Sequence, residues 1–87
     1  MPKPKQMHHS AREQEVLDKV DYYRIRVYQF GKGWVDSIPL QASEVLPRYQ
    51  RIKNMNYRAV LYAARVFEDG EHLANVTPAF VSALIQH

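Results

Sequence analysis

From Asp21 to Trp34 the chain reads DYYRIRVYQFGKGW, and between Tyr22 and Phe30 aromatic or β-branched residues alternate with polar ones at a period of two. Such a run has to be a strand, because a helix would scatter its apolar residues around the axis. The glycines that follow turn the chain back on itself. A two-residue turn on Gly31 and Lys32, with glycine at the first central position as a type II′ turn requires, would set Gln29 against Trp34, Ile25 against Ile38 and Tyr23 against Leu40. In that register Tyr23, Ile25, Val27, Trp34, Ile38 and Leu40 share an inner face, with Asp36 the one polar intruder. The outer face then carries Tyr22, Arg24, Arg26, Tyr28, Phe30, Val35 and Ser37. A longer turn that set Arg26 against Ile38 would mix charge into the apolar side.

The rest of the chain supplies partners for this hairpin. Ser10 and Glu13 have the spacing of a capping box and open a short helix to about Lys19, with Val16, Leu17 and Val20 as its apolar stripe. In ASEVLPRYQRIKNM, Ala42, Val45, Leu46, Tyr49, Ile52 and Met55 recur at helical spacing. Ser43 is the expected cap, Pro47 falls in the first turn, and Asn54 and Asn56 end the helix. Tyr57 to Glu68 reads as a central strand, apolar on both faces apart from Arg58 and Arg65. A tight turn on Asp69 and Gly70 returns a strand from Glu71 to Val76, and Thr77 and Pro78 open a last helix carrying Phe80, Val81, Leu84 and Ile85. The expected fold is α+β: a mostly antiparallel sheet of about four strands, in the order hairpin, helix, hairpin, with helices on one face. The opening MPKPKQMHHS, with two prolines and no periodicity, reads as a flexible tail over residues 1–10, and residues 11–87 as one domain.

With 87 residues the chain can build one modest core and bury roughly 60 to 65% of its unfolded surface, so contacts with a partner or a second copy would add needed stability. It has no cysteine, which excludes disulfides and thiolate zinc sites and suits a reducing compartment. The apolar runs are too short to span a membrane, and the polar N-terminus lacks the apolar stretch of a signal peptide, so a cytoplasmic protein is expected. The net charge of +3 is segregated: eight cations against three acids lie between Asp21 and Arg65, and three acids stand alone after it. A basic middle and an acidic end favour a polyanionic partner or self-association.

Three functions fit these residues. The first is a non-enzymatic binding or regulatory protein that docks on a larger protein, of the size of phage and mobile-element inhibitors, since Tyr, Trp and Arg dominate interface hot spots. The alternative is single-stranded nucleic-acid binding: Tyr22, Tyr28 and Phe30 would stack on bases for about 1 to 3 kcal/mol each, while Arg24, Arg26, Lys32, Arg48, Arg51 and Lys53 would meet phosphates. The third is a small ribonuclease using Arg65, His72 and Tyr62 as charge stabiliser, base and orienting group, with Arg65 and His72 diagonal neighbours in the second hairpin. The stretch YRAVLYAARVFEDG resembles the strand pair of the small toxin ribonucleases of toxin–antitoxin pairs over that one hairpin, and the hairpin and helix before it depart from that fold's order. His8 and His9 lack carboxylates at ligand spacing, and His72 and His87 have no evident partner, so neither a metal nor another cofactor is expected.

Overall fold

The computed structural model describes residues 9–85; Met1 to His8, the bulk of the expected tail, and His87 lie outside the described residues. Three helices, α1 (Ala11–Asp18), α2 (Ala42–Asn54) and α3 (Pro78–Ile85), accompany four strands, β1 (Tyr22–Gln29), β2 (Gly33–Asp36), β3 (Ala59–Phe67) and β4 (Gly70–Asn75). The strands form one antiparallel sheet in the order β2-β1-β3-β4, the α+β architecture expected from the sequence. β1 and β3 are the inner strands. Their register sets Tyr23 against Ala63, Ile25 against Leu61 and Val27 against Ala59, so the apolar alternation of both strands falls on one face. All three helices contribute to the core on that face: Val16 from α1, Val45 from α2 and Val81 from α3 are fully buried with Ile25, Ala63 and Ala74.

Local chemistry explains where the elements begin and end. Ser10 and Glu13 form the reciprocal capping box at the start of α1. Thr77 Oγ1 accepts from the Phe80 N–H to cap α3. α2 starts two residues earlier than expected: Gln41, not Ser43, is its N-cap, and Glu44 accepts from the Gln41 N–H at 3.3 Å. Pro47 therefore sits in the second turn rather than the first, where its missing N–H leaves the Ser43 carbonyl without an intrahelical partner. At the other end Asn56 takes a φ of 66°, its N–H bonding to Lys53 O and that of Tyr57 to Ile52 O. This is the Schellman pattern, and it holds Tyr57 beside Ile52.

Both hairpins differ from the expected registers. The first turns one residue earlier: Lys32 N bonds to Gln29 O at 3.0 Å, and Gly31 at φ 85° occupies the position where a type II turn needs a positive φ. Gln29 then faces Gly33, Val27 faces Val35 and Arg26 faces Asp36. A slip of one residue exchanges the faces of β2, so Trp34 and Asp36 lie on the outer side and Val35 on the inner. The gain is electrostatic, since Asp36 meets a guanidinium instead of the core. Ile25 pairs with Ser37 rather than Ile38, and an extra residue around Ile38 and Pro39 restores the phase, so that Leu40 still faces Tyr23. In the second hairpin the turn lies on Glu68 and Asp69, which sets Phe67 against Gly70 and Arg65 directly against His72.

This register predicts unequal costs for two isoleucines. Ile25→Ala should destabilise the fold by about 2 to 5 kcal/mol, while Ile38→Ala, at an exposed position, should stay within about 0.5 kcal/mol. Urea denaturation of the two variants measures the difference, and equal costs would contradict the bulge.

Candidate interaction surface on the open sheet face

Because all three helices lie on one side, no described helix covers the other side of the sheet. It carries Tyr22, Arg24, Arg26 and Tyr28 from β1, Trp34 and Asp36 from β2, Val60 and Tyr62 from β3, and Glu71 and Leu73 from β4. The alternation of Tyr22 to Tyr28 was legible in the sequence; what joined it from the other strands was not. Trp34 joins it against the inward orientation that a two-residue turn on Gly31 and Lys32 predicts.

The arginines on this face are not free. Arg24 donates from Nε to Glu71 Oε2 at 2.8 Å and from Nη1 to Ser37 O at 2.6 Å, and Tyr22 donates its hydroxyl to the same Glu71 oxygen. Arg26 grips Asp36 with two parallel bonds of 2.6 and 3.1 Å while its guanidinium lies 4.7 Å from the Tyr62 ring centroid. The bonds from Arg26 hold the Asp36 carboxyl below its usual range. Partial burial pushes Glu71 up, but the hydrogen bonds from Tyr22 and Arg24 outweigh it and leave that carboxyl lowered. The Glu71 bond raises the Tyr22 hydroxyl.

A second cluster stands where β1 ends, β3 begins and α2 closes. Tyr28 and Trp34 pack edge to face with centroids 5.5 Å apart, and Arg58 approaches both rings at 5.8 and 5.7 Å. Trp34, Lys53, Asn56, Tyr57 and Arg58 line one depression, and Val27, Phe30, Ile52, Met55 and Tyr57 line an adjoining apolar one. Exposure concentrates here: Phe30 is 98% exposed at the turn, Met55 58%, Tyr57 50% and Trp34 46%. Among the described residues Lys32, Lys53 and Arg58 form no ion pair.

The nine residues expected to form one site are thus divided. Tyr22, Arg24, Arg26 and Tyr28 share the open face, Phe30 and Lys32 occupy the hairpin turn, and Lys53 stands beside Trp34 and Arg58. Arg48 and Arg51 lie exposed on α2, which packs on the opposite side of the sheet. Sequence reasoning missed Trp34, Asp36, Met55, Tyr57, Arg58 and Glu71 as members; the available signal was Tyr57 and Arg58 directly after the asparagines that end α2. The ribonuclease trio is also divided, with Tyr62 on the open face and Arg65 on the helix side, donating to the Glu15 carbonyl at 2.8 Å. His72 bonds Asp69 Oδ1 at 3.0 Å and packs its ring edge to face on Phe67, which Arg12 and Arg65 also contact. These contacts tie α1 to the second hairpin. His9, in turn, donates a ring N–H to the Asn75 carbonyl at 2.8 Å. Among the described residues, no three His, Asp or Glu side chains stand close enough to hold a metal ion, and no helix is long and apolar enough to cross a membrane.

The Arg26 to Asp36 bridge predicts a pH dependence. Asp36 has a lower pKa folded than unfolded, so its contribution is complete above the unfolded value of about 3.9 and is lost as pH falls through the folded one. The stability difference between the wild type and Asp36→Asn should be constant from pH 7 to about 5 and shrink below about 4. Chemical denaturation at a series of pH values checks this, and a difference that grows on acidification would contradict the bridge.

Compared with protein-family models, with curated proteins and with solved structures, the chain matches none of them.

Proposed function

We propose that the protein is a non-enzymatic binding protein that docks on a larger protein through the open sheet face and the aromatic cluster at its end, as a regulator or inhibitor of the phage or mobile-element type would. The observation that carries this reading is the pairing of Arg24 with Glu71 and of Arg26 with Asp36. A phosphate backbone would have to displace both carboxylates, whereas a protein surface can accept a neutralised face of aromatic and aliphatic groups. The adjoining cluster has the composition of an interface centre, with Trp34, Tyr57, Phe30 and Met55 exposed beside Arg58.

Single-stranded nucleic acid is the second reading, and Arg58 and Lys53 favour it: both are unpaired cations beside Trp34 and Tyr57. Salt separates the two, because phosphate contacts release counterions and protein interfaces anchored by aromatics do not. Charge reversal at Arg24 and Arg26 is a poor probe of either, since glutamates there would face Glu71 and Asp36 and disturb the sheet itself. Trp34→Ala and Phe30→Ser change exposed side chains instead.

The expected outcome is that a protein partner, captured by the wild-type chain and identified by mass spectrometry, binds each of these variants at least about tenfold more weakly, with little change between low and physiological salt. Fluorescence anisotropy with labelled single-stranded oligonucleotides runs alongside. Oligonucleotide binding that falls steeply with salt and is lost in Arg58→Glu would replace this reading with the second.

A further inference from the structure

The two edges of the sheet are differently protected. β2 spans only four residues and then bends away at Ile38 and Pro39, a short edge closed by a bulge and a proline. β4 spans six residues and contains no proline and no lysine. Its one strand-borne carboxylate, Glu71, is drawn back onto its own sheet by Arg24 and Tyr22.

The ladder decides which backbone groups of β4 are free. Val76 N bonds to Leu61 O at 3.0 Å, and the same register makes Ala74 with Ala63, His72 with Arg65 and Gly70 with Phe67 the pairs that exchange hydrogen bonds with β3. The N–H and C=O groups of Glu71, Leu73 and Asn75 therefore point away from the sheet. The Asn75 carbonyl is taken by His9. Glu71 and Leu73 have no backbone or side-chain partner for their main-chain groups among the described residues.

We infer that this edge pairs with β4 of a second copy of the chain, antiparallel, about a two-fold axis that passes between the two His72 residues. In that register the Glu71 N–H and C=O exchange bonds with those of the partner's Leu73, and the symmetric pair does the same, so four hydrogen bonds satisfy the four groups left open on the two residues of each copy. A pairing centred on Leu73 would instead bring the partner strand onto Asn75 and against the His9 ring. The two-fold solution needs no foreign sequence and leaves none of these donors unmatched. It joins the two sheets into one of eight strands, with the two open faces side by side. The inference goes beyond the proposed docking function and stands independently of it, because it uses the outward main-chain groups of the β4 edge and not the side chains of the open face.

Strand pairing alone buries less than a standard interface of roughly 1,600 Å², so the dimer should be a weak one. Sedimentation of the full chain from about 5 to 500 μM tests it. The wild type should pass from the 10.2 kDa monomer towards twice that mass. Leu73→Pro removes an N–H that faces outward and breaks no bond to β3, a place where an edge strand accepts proline. That variant should keep its far-UV circular dichroism and sediment as a monomer throughout. His72→Lys sets two fixed like charges across the axis and should also be monomeric, so the inference stays open to refutation even where the proline variant fails to fold. A wild type that remains monomeric at the highest concentration overturns it. So does a dimer that survives His72→Lys, or one that is lost in Phe30→Ser and kept in Leu73→Pro.

Discussion

The pairing of β1 with β3 is the interaction on which the rest of the molecule depends. It sets Ile25 against Leu61 and Tyr23 against Ala63; α1 and α2 reach the core by packing on these strands and β4, and α3 by packing on α2. Ala63 and Ala74 are fully buried on the helix side of the sheet. Small side chains there keep the sheet surface low, so Val16, Val45 and Val81 from three different helices can close over it without a cavity that larger groups would have to fill. With no disulfide and no second core, the stability of the fold rests on that shared contact.

Placing all the helices on one side has an electrostatic consequence for the other. The open face has to be stable in water while carrying four aromatic rings, and it achieves this through cross-strand pairs that run between neighbouring strands. Arg26 reaches Asp36 on β2 and lies over Tyr62 on β3, while Arg24 spans from Ser37 to Glu71 on β4. These bridges neutralise the middle of the face and leave its uncompensated positive charge at one end, with Arg58, Lys53 and Lys32. The face is therefore polarised into a quiet, nearly neutral platform and an exposed aromatic and cationic tip.

Much of the secondary structure could be read from the chain because its signals are local. The Ser10 to Glu13 box, the Thr77 and Pro78 start, the period of two from Tyr22 and the asparagines after α2 each act over three or four residues. Registers were harder, for a physical reason: the first turn admits a type II′ solution on Gly31 and Lys32 and a type II solution on Phe30 and Gly31, and the glycines allow both. Only the fate of Asp36, which meets Arg26 in one register and the apolar side in the other, decides between them. The helix cap was similarly ambiguous, since Gln41 with Glu44 and Ser43 each offer a plausible start.

By itself the sequence determined the alternation of β1, the starts of α1 and α3, the end of α2 and the presence of a four-stranded antiparallel sheet, because hydrogen-bonding geometry and side-chain periodicity act within short stretches. Tertiary structure alone decided that Trp34 and Asp36 face outward, that Arg24 and Arg26 are already paired, and that Arg48 and Arg51 lie away from the aromatic face. Those outcomes depend on residues 10 to 47 positions apart, and on a one-residue choice of register that no local signal can fix.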